Sequence, residues 1–154
     1  MVSLDVQGAF DLAWWPAILQ RLREAKCPRK LYYLVQDYLK KREAFITING
    51  YNMRKNITKG FAQGSCCGPT LWNIQYDTVL NLQFTDHTRV VAFADLILMI
   101  RADSISEAEN IANVEMGKIT MWAENNKTKF NEVASNANDK KEAQRTKRNI
   151  SIHK

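Results

Sequence analysis

A chain of 154 residues holds one domain or a piece of one. An apolar share of 45%, with four Trp, six Phe and five Tyr, supplies a core and excludes a disordered chain. The net charge of +6 is uneven: beyond Ala134, six cations against two anions leave +4, so the body is only about +2 and overall basicity does not by itself select nucleic acid as partner.

Cys27, Cys66 and Cys67 are odd in number, two are adjacent, and neither a C-x-x-C spacing nor a histidine cluster accompanies them. That excludes a disulfide framework and a zinc site and fits a reducing interior. Charges interrupt every apolar run short of a membrane span, and the N-terminus reads directly into a strand, without a signal peptide. The expected location is therefore inside the cell, nucleus or cytoplasm. A chain that opens inside its first strand is expected to be a fragment of something longer.

In chain order, Val2 to Val6 reads as a strand, and Gln7-Gly8-Ala9-Phe10-Asp11 as a loop. Trp15-Pro16 opens a helix, since proline suits a first turn, with Trp15, Ile18, Leu19 and Leu22 on one face. Cys27-Pro28 breaks it, and a second helix follows with Leu31, Leu34, Val35 and Tyr38 in register. Glu43 to Ile48 and Tyr51 to Ile57 read as a hairpin across Asn49-Gly50, a strong turn signal. The glycine-containing stretch from Gly60 to Pro69 is a loop. Pro69 starts a third helix lined by Trp72, Tyr76, Val79 and Leu80. Thr88 to Ile100 is a second hairpin, and its run from Val90 to Ile100 is apolar apart from Asp95. Ser104 to Glu107 has capping-box spacing. The helix behind it places Ile105, Ala108, Ala112, Met116, Ile119 and Trp122 on one face and ends near Asn125-Asn126. Lys127 to Asn131 reads as a last strand. Residues 1–133 thus form one domain, and residues 134–154 a basic polar tail expected to be disordered. Hairpins mixed with helices, without regular β-α-β alternation, point to an α+β fold: a small antiparallel sheet with helices packed on one face.

Two carboxylates stand at strand ends. Asp5 closes the first strand; Asp95 sits in the middle of the apolar second hairpin. Each has an ordinary reading, as a helix-capping Asp and as a turn Asp. An ionised carboxylate among buried strands nevertheless costs several kcal/mol or more unless solvated, paired or metal-bound. Were the two strands neighbours, the carboxylates would repel unless a cation sat between them, and hard oxygen ligands suit Mg²⁺.

Asp5-Val6-Gln7-Gly8-Ala9-Phe10-Asp11 resembles the first palm motif of reverse transcriptases. Gln63-Gly64-Ser65 followed by Gly68-Pro69 resembles the second, and Phe93-Ala94-Asp95 the third, the F/Y-x-D-D hairpin. Trp122 to Lys127, followed by Lys129-Phe130-Asn131-Glu132, resembles the segment after it in non-LTR (LINE-like or jockey-like) retrotransposons. The four motifs occur in the family's order and spacing. The resemblance implies a polymerase palm without fingers and thumb, acting on an RNA template, a DNA primer and deoxynucleoside triphosphates. It implies two Mg²⁺ ions on Asp5, Asp95 and the Val6 carbonyl. Phe10 would exclude a ribose 2′-hydroxyl, and the backbone from Gln7 through Gly8 and Ala9 to Phe10 would meet the triphosphate. Gln63 would contact the incoming nucleotide from the other side, with Gly64 admitting close backbone approach. Tyr38, Tyr51 and Trp72 are rings that either stack on bases or pack in the core and hairpin.

Three departures stand against the pattern. Leu96 follows Asp95 where the family has a second Asp, Ala62 replaces a proline, and the lysine and apolar strand expected after Glu132 are missing. The resemblance with these departures predicts a degenerate copy, inactive or impaired. The other class is a non-enzymatic nucleic-acid-binding or interaction remnant that keeps the palm as a scaffold.

Overall fold

A computed structural model of the chain describes residues 1–93 and 95–133. β1 (Val2–Val6) turns Leu4 and Val6 into the core and Asp5 to the other face, the period-2 alternation of a strand. It is an inner strand of a four-stranded antiparallel sheet in the order β4-β5-β1-β6, with β4 at Thr88–Phe93, β5 at Asp95–Ile100 and β6 at Phe130–Val133. Leu4 faces Leu96 and Val2 faces Leu98 across β1 and β5. That register makes Leu4, Val6, Leu96 and Leu98 one buried surface. Helices cover it with Ile18, Leu71, Trp72, Val79, Ile119 and Trp122, so the α+β layout read from the sequence is the one observed.

The segment read as a loop at Gln7–Asp11 is instead largely a single helical turn, α1 (Ala9–Leu12). Gly8 enters it from the left-handed region (φ 55°), a conformation open to glycine at no cost in side-chain sterics. α2 (Trp15–Glu24) carries Pro16 in its first turn and buries Trp15, Ile18 and Leu22, as its spacing predicts. α3 (Arg29–Leu39) presents a different face from the one expected. Tyr32 and Leu39 are buried, whereas Leu31 and Tyr38 are exposed and Leu34 is 66% exposed. The stripe that meets α2 lies one residue round the helix from the predicted one.

β2 (Glu43–Ile48) and β3 (Tyr51–Asn56) pair across Asn49-Gly50, both at positive φ, and form a separate two-stranded ribbon. β3 stops one residue before the expected Ile57. α4 (Gly68–Tyr76) continues as a 3₁₀ turn over Asp77–Asn81; Trp72, Tyr76 and Val79 are buried, while Leu80 faces solvent.

α5 (Ile105–Asn126) starts at the predicted cap: the Glu107 N–H donates to Ser104 Oγ at 3.1 Å, and Glu107 Oε2 accepts from the Asp103 N–H at 2.9 Å. Ile119 and Trp122 are buried as expected, but Ile105 at the helix start is 81% exposed. α5 ends at Lys127 in the left-handed region, which moves the last strand to Phe130–Val133 rather than Lys127–Asn131. The basic tail at residues 134–154, with the missing lysine and strand, lies outside the described residues.

Two buried polar side chains tie these layers together. Gln75 accepts from the Trp14 N–H at 3.1 Å and donates to the Asn126 carbonyl at 2.9 Å, joining α2, α4 and the end of α5. Glu115 accepts from the Thr85 N–H at 2.8 Å and pairs with Lys118 at 2.7 Å. Burial raises the Glu115 pKa, but the Lys118 ammonium and the Thr85 N–H and hydroxyl outweigh it and hold the carboxyl below its ordinary value.

Candidate active site

Asp5 and Asp95 occupy the next position along β1 and β5 after the facing pair Leu4 and Leu96. Strand alternation then sends both carboxylates away from the leucine layer. Both line one cavity of about 840 Å³, shared with Val6, Ala9, Phe10, Trp72 and Tyr76. On the other side of β1, Asn131 is paired with Asp5 in the β1–β6 register, and its Nδ2 donates to Asp5 Oδ2 at 3.1 Å. A neighbouring strand thus orients the first carboxylate.

Phe93 is paired with Asp95, so Ala94, which is itself outside the described residues, is the only residue between them. On the returning strand Leu96 and Leu98 are fully buried, whereas Ile97 and Met99 take the other face. Position 96 therefore belongs to the core and not to the cavity.

Phe10 reaches the cavity from α1 and is 37% exposed, whereas Phe61 is buried in the core. The loop around Phe61 is fastened to the α1 segment. The Gly60 N–H donates to the Ala13 carbonyl and the Phe61 N–H to the Phe10 carbonyl, each at 2.8 Å. The Gly60 carbonyl in turn accepts from Trp15 Nε1 at 2.9 Å. Gly60 has φ 82°, and a Cβ there would lie 2.6 Å from the Asp11 carbonyl oxygen, so the approach admits only glycine.

Of the residues singled out in the sequence, Asp5, Val6, Ala9, Phe10, Trp72 and Asp95 are brought to this cavity. Gln63 and Gly64 are exposed on the adjoining loop and do not line it. Gln7 lies toward α5, beside Met116, Lys129 and Phe130, and Gly8 starts α1 without reaching the cavity.

Two contributors escaped the sequence. Asn131 carried no role there, although its place in a strand that pairs with β1 is the signal. Tyr76 was read only as part of a packing stripe and is also cavity wall, four residues from Trp72 on α4; their rings stack at 5.3 Å. The Tyr76 hydroxyl is buried and has no hydrogen-bond partner among the described residues. Burial first, and the Asp95 carboxylate second, push its pKa well above the ordinary phenol range, so it stays a neutral donor.

The donors here are hard oxygens: two carboxylates and, at Val6, a backbone carbonyl. They match what Mg²⁺ accepts. Among the described residues no group of three or more His, Cys, Asp or Glu side chains is placed to hold a metal ion. The set therefore fits a cation that takes part of its shell from a ligand, rather than a closed structural site.

An antiparallel sheet with paired carboxylates at neighbouring strand ends, and helices packed behind it, is a polymerase-type palm. The family model described as "Reverse transcriptase (RNA-dependent DNA polymerase)" matches residues 1–145, and the chain belongs to that family. It is 28% identical over 135 residues to "RNA-directed DNA polymerase from mobile element jockey" of Drosophila melanogaster, covering 83% of this chain and 15% of that protein. It is 36% identical over 127 residues to the protein of the same description from Drosophila funebris, covering 78% of this chain and 14% of that one. A third relative is "Putative 115 kDa protein in type-1 retrotransposable element R1DM" of Drosophila melanogaster, at 30% identity over 120 residues, 77% of this chain and 12% of the relative. The chain thus spans 15% or less of the length of these curated relatives. Among the described residues no helix is long and apolar enough to cross a membrane.

Proposed function

We propose that the chain is the palm portion of a non-LTR retrotransposon reverse transcriptase, descended from an enzyme that copied an RNA template onto a DNA primer from deoxynucleoside triphosphates. The observation that carries the reading is the convergence of Asp5 and Asp95 on one cavity, with Phe10 at its wall. In this reading residues 1–133 are the palm-like domain and residues 134–154 a basic tail. Three free cysteines suit a protein of a reducing compartment.

Asp5, the Val6 carbonyl and Asp95 would hold the family's two Mg²⁺ ions. Bound Mg²⁺ lowers the pKa of the primer 3′-hydroxyl and neutralises charge on the triphosphate. The chain's own side chains do the positioning. Asn131 restrains Asp5 through its 3.1 Å hydrogen bond. Phe10 would occupy the space a ribose 2′-hydroxyl needs, and of the segment from Gln7 to Phe10 it is Ala9 and Phe10, at the cavity, that would meet the triphosphate. Gln63 and Gly64 reach the nucleotide only if their loop closes over the cavity.

This copy is proposed to be inactive or severely impaired. Leu96 is fully buried against Leu4, so a carboxylate replaced in place would have pointed into the core. The burial of Leu96 therefore favours loss of one Asp from the hairpin over its replacement by Leu96. With one metal carboxylate gone, transition-state stabilisation falls by on the order of several kcal/mol. The test is primer extension on an RNA template with Mg²⁺ and deoxynucleotides. The expected result is no extension above background; robust incorporation would overturn the reading of decay.

A further inference from the structure

The net charge of the folded body hides a strong polarity. Residues 21–59 carry eleven Lys and Arg against three Asp and Glu, whereas residues 1–20 and 60–133 together carry five against eleven. The positive stretch runs from the end of α2 through α3 to the β2–β3 ribbon, and the negative remainder includes the whole of α5. Both α3 and α5 also turn an apolar stripe to solvent.

On α3 the stripe is Leu31, Leu34 and Tyr38, all exposed because the helix packs on α2 through its other apolar face. Lys30 and Lys41 stand at its two ends and are exposed. Asp37, near its edge, is paired with Lys40. On α5 Val114 is 56% exposed and Met121 66%. Gly117 lies between them, and nothing stands within 4 Å of where its Cβ would be, so a second backbone can approach there. Asn110 and Glu124 stand at the ends of this stripe, with Glu107 one turn beyond Asn110. Lys118 is drawn off it by Glu115 and the Gln83 carbonyl. Among the described residues Lys30, Lys41 and Glu124 enter no ion pair. The two stripes have equal length: Leu31 to Tyr38 and Val114 to Met121 each cover two helical turns, about 10 Å.

Solvated helix faces carry polar residues along their length, and a contiguous apolar stripe with charged ends marks an interaction surface. The opposite signs of the two faces select the occupant. We propose that α3 of one copy of this chain docks antiparallel on α5 of a second copy. Leu34 then meets Gly117, Leu31 and Tyr38 lie against Met121 and Val114, and Lys30 reaches Glu124 while Lys41 lies over Asn110 toward Glu107. The contact is small, so the assembly is weak and reversible. It needs no metal, nucleotide or second Asp, and it stands whether or not the chain extends a primer.

The test is sedimentation equilibrium of the full chain, freed of nucleic acid, across a concentration and salt series. A mass above the 17.7 kDa monomer, rising with concentration and falling with salt, is expected. Lys30→Glu with Lys41→Glu should weaken association about tenfold, and so should Asn110→Lys with Glu124→Lys. An equimolar mixture of these two double variants should associate as the parent does, because each reversed face then meets its reversed partner. Gly117→Gln should weaken association about tenfold while the urea midpoint stays level or rises, since Gln is the better helix former. A parent that stays monomeric, a double variant or Gly117→Gln that associates unchanged, or a mixture that does not recover would each overturn the proposal. So would association that vanishes on deletion of residues 134–154, or that appears only when an oligonucleotide is added.

Discussion

Asp5 and Asp95 each lie one residue past the facing Leu4 and Leu96, and both line the same cavity. The buried leucine pair and the polar pair are therefore set by one register. A slip of one residue between β1 and β5 would bury a carboxylate and expose a leucine together. Packing of the core and assembly of the site are thus a single structural event in this fold.

Putting a carboxylate back at position 96 should fail. Leu96→Asp buries an unpaired charge against Leu4 and Leu98 and is expected to cost at least about 3 kcal/mol, visible as a fall in the urea midpoint, with no gain in primer extension. Inserting an Asp between Asp95 and Leu96 lengthens the turn and leaves the leucines in place. That variant should stay folded within about 1 kcal/mol of the parent, and it is the one in which extension activity should be sought.

Two phenylalanines one loop apart should behave oppositely. Phe61→Ala removes a buried ring and should cost about 3–5 kcal/mol. Phe10→Ala removes a ring at the cavity wall and should cost under about 1 kcal/mol. A thermal or chemical denaturation series on both variants checks this, and a large loss at Phe10 would show that its ring packs as a core side chain.

Glycine replacements should also split in sign. Gly60→Ala places a Cβ 2.6 Å from the Asp11 carbonyl oxygen, at φ 82°. Strain and collision together should cost about 2–4 kcal/mol and detach the loop from α1. Gly117→Ala, within α5 and with nothing within 4 Å of its added Cβ, should stabilise by about 0.5–1 kcal/mol. Urea midpoints of the two variants measured side by side test both signs.

Acid should loosen the fold partly through Glu115. Its folded pKa is held below the ordinary value of 4.5, so its contribution is complete above that value and is lost as pH falls through the folded one. Stability measured by urea should decline as pH drops below about 4.5. Glu115→Gln should be less stable by about 1–3 kcal/mol at neutral pH and show a shallower acid decline.

The sequence by itself determined the features whose causes are local. Asn49-Gly50 makes its turn because both residues accept positive φ, and Ser104 with Glu107 starts α5 because both partners lie within one turn. The strands at Val2–Val6 and Thr88–Ile100, the α+β class and the two candidate carboxylates were legible for the same reason, or through motifs of fixed spacing. The tertiary structure alone decided what depends on a neighbour's position. On α3 two overlapping apolar stripes compete at helical spacing, and only packing on α2 selects the one holding Tyr32 and Leu39. The roles of Gln75 and Asn131 come from partners 51 and 126 residues away, a separation that no local pattern records. Which way Leu96 points depends on the pairing of β5 with β1: an all-apolar strand from Leu96 to Ile100 can bury either face, and the register with Leu4 makes the choice.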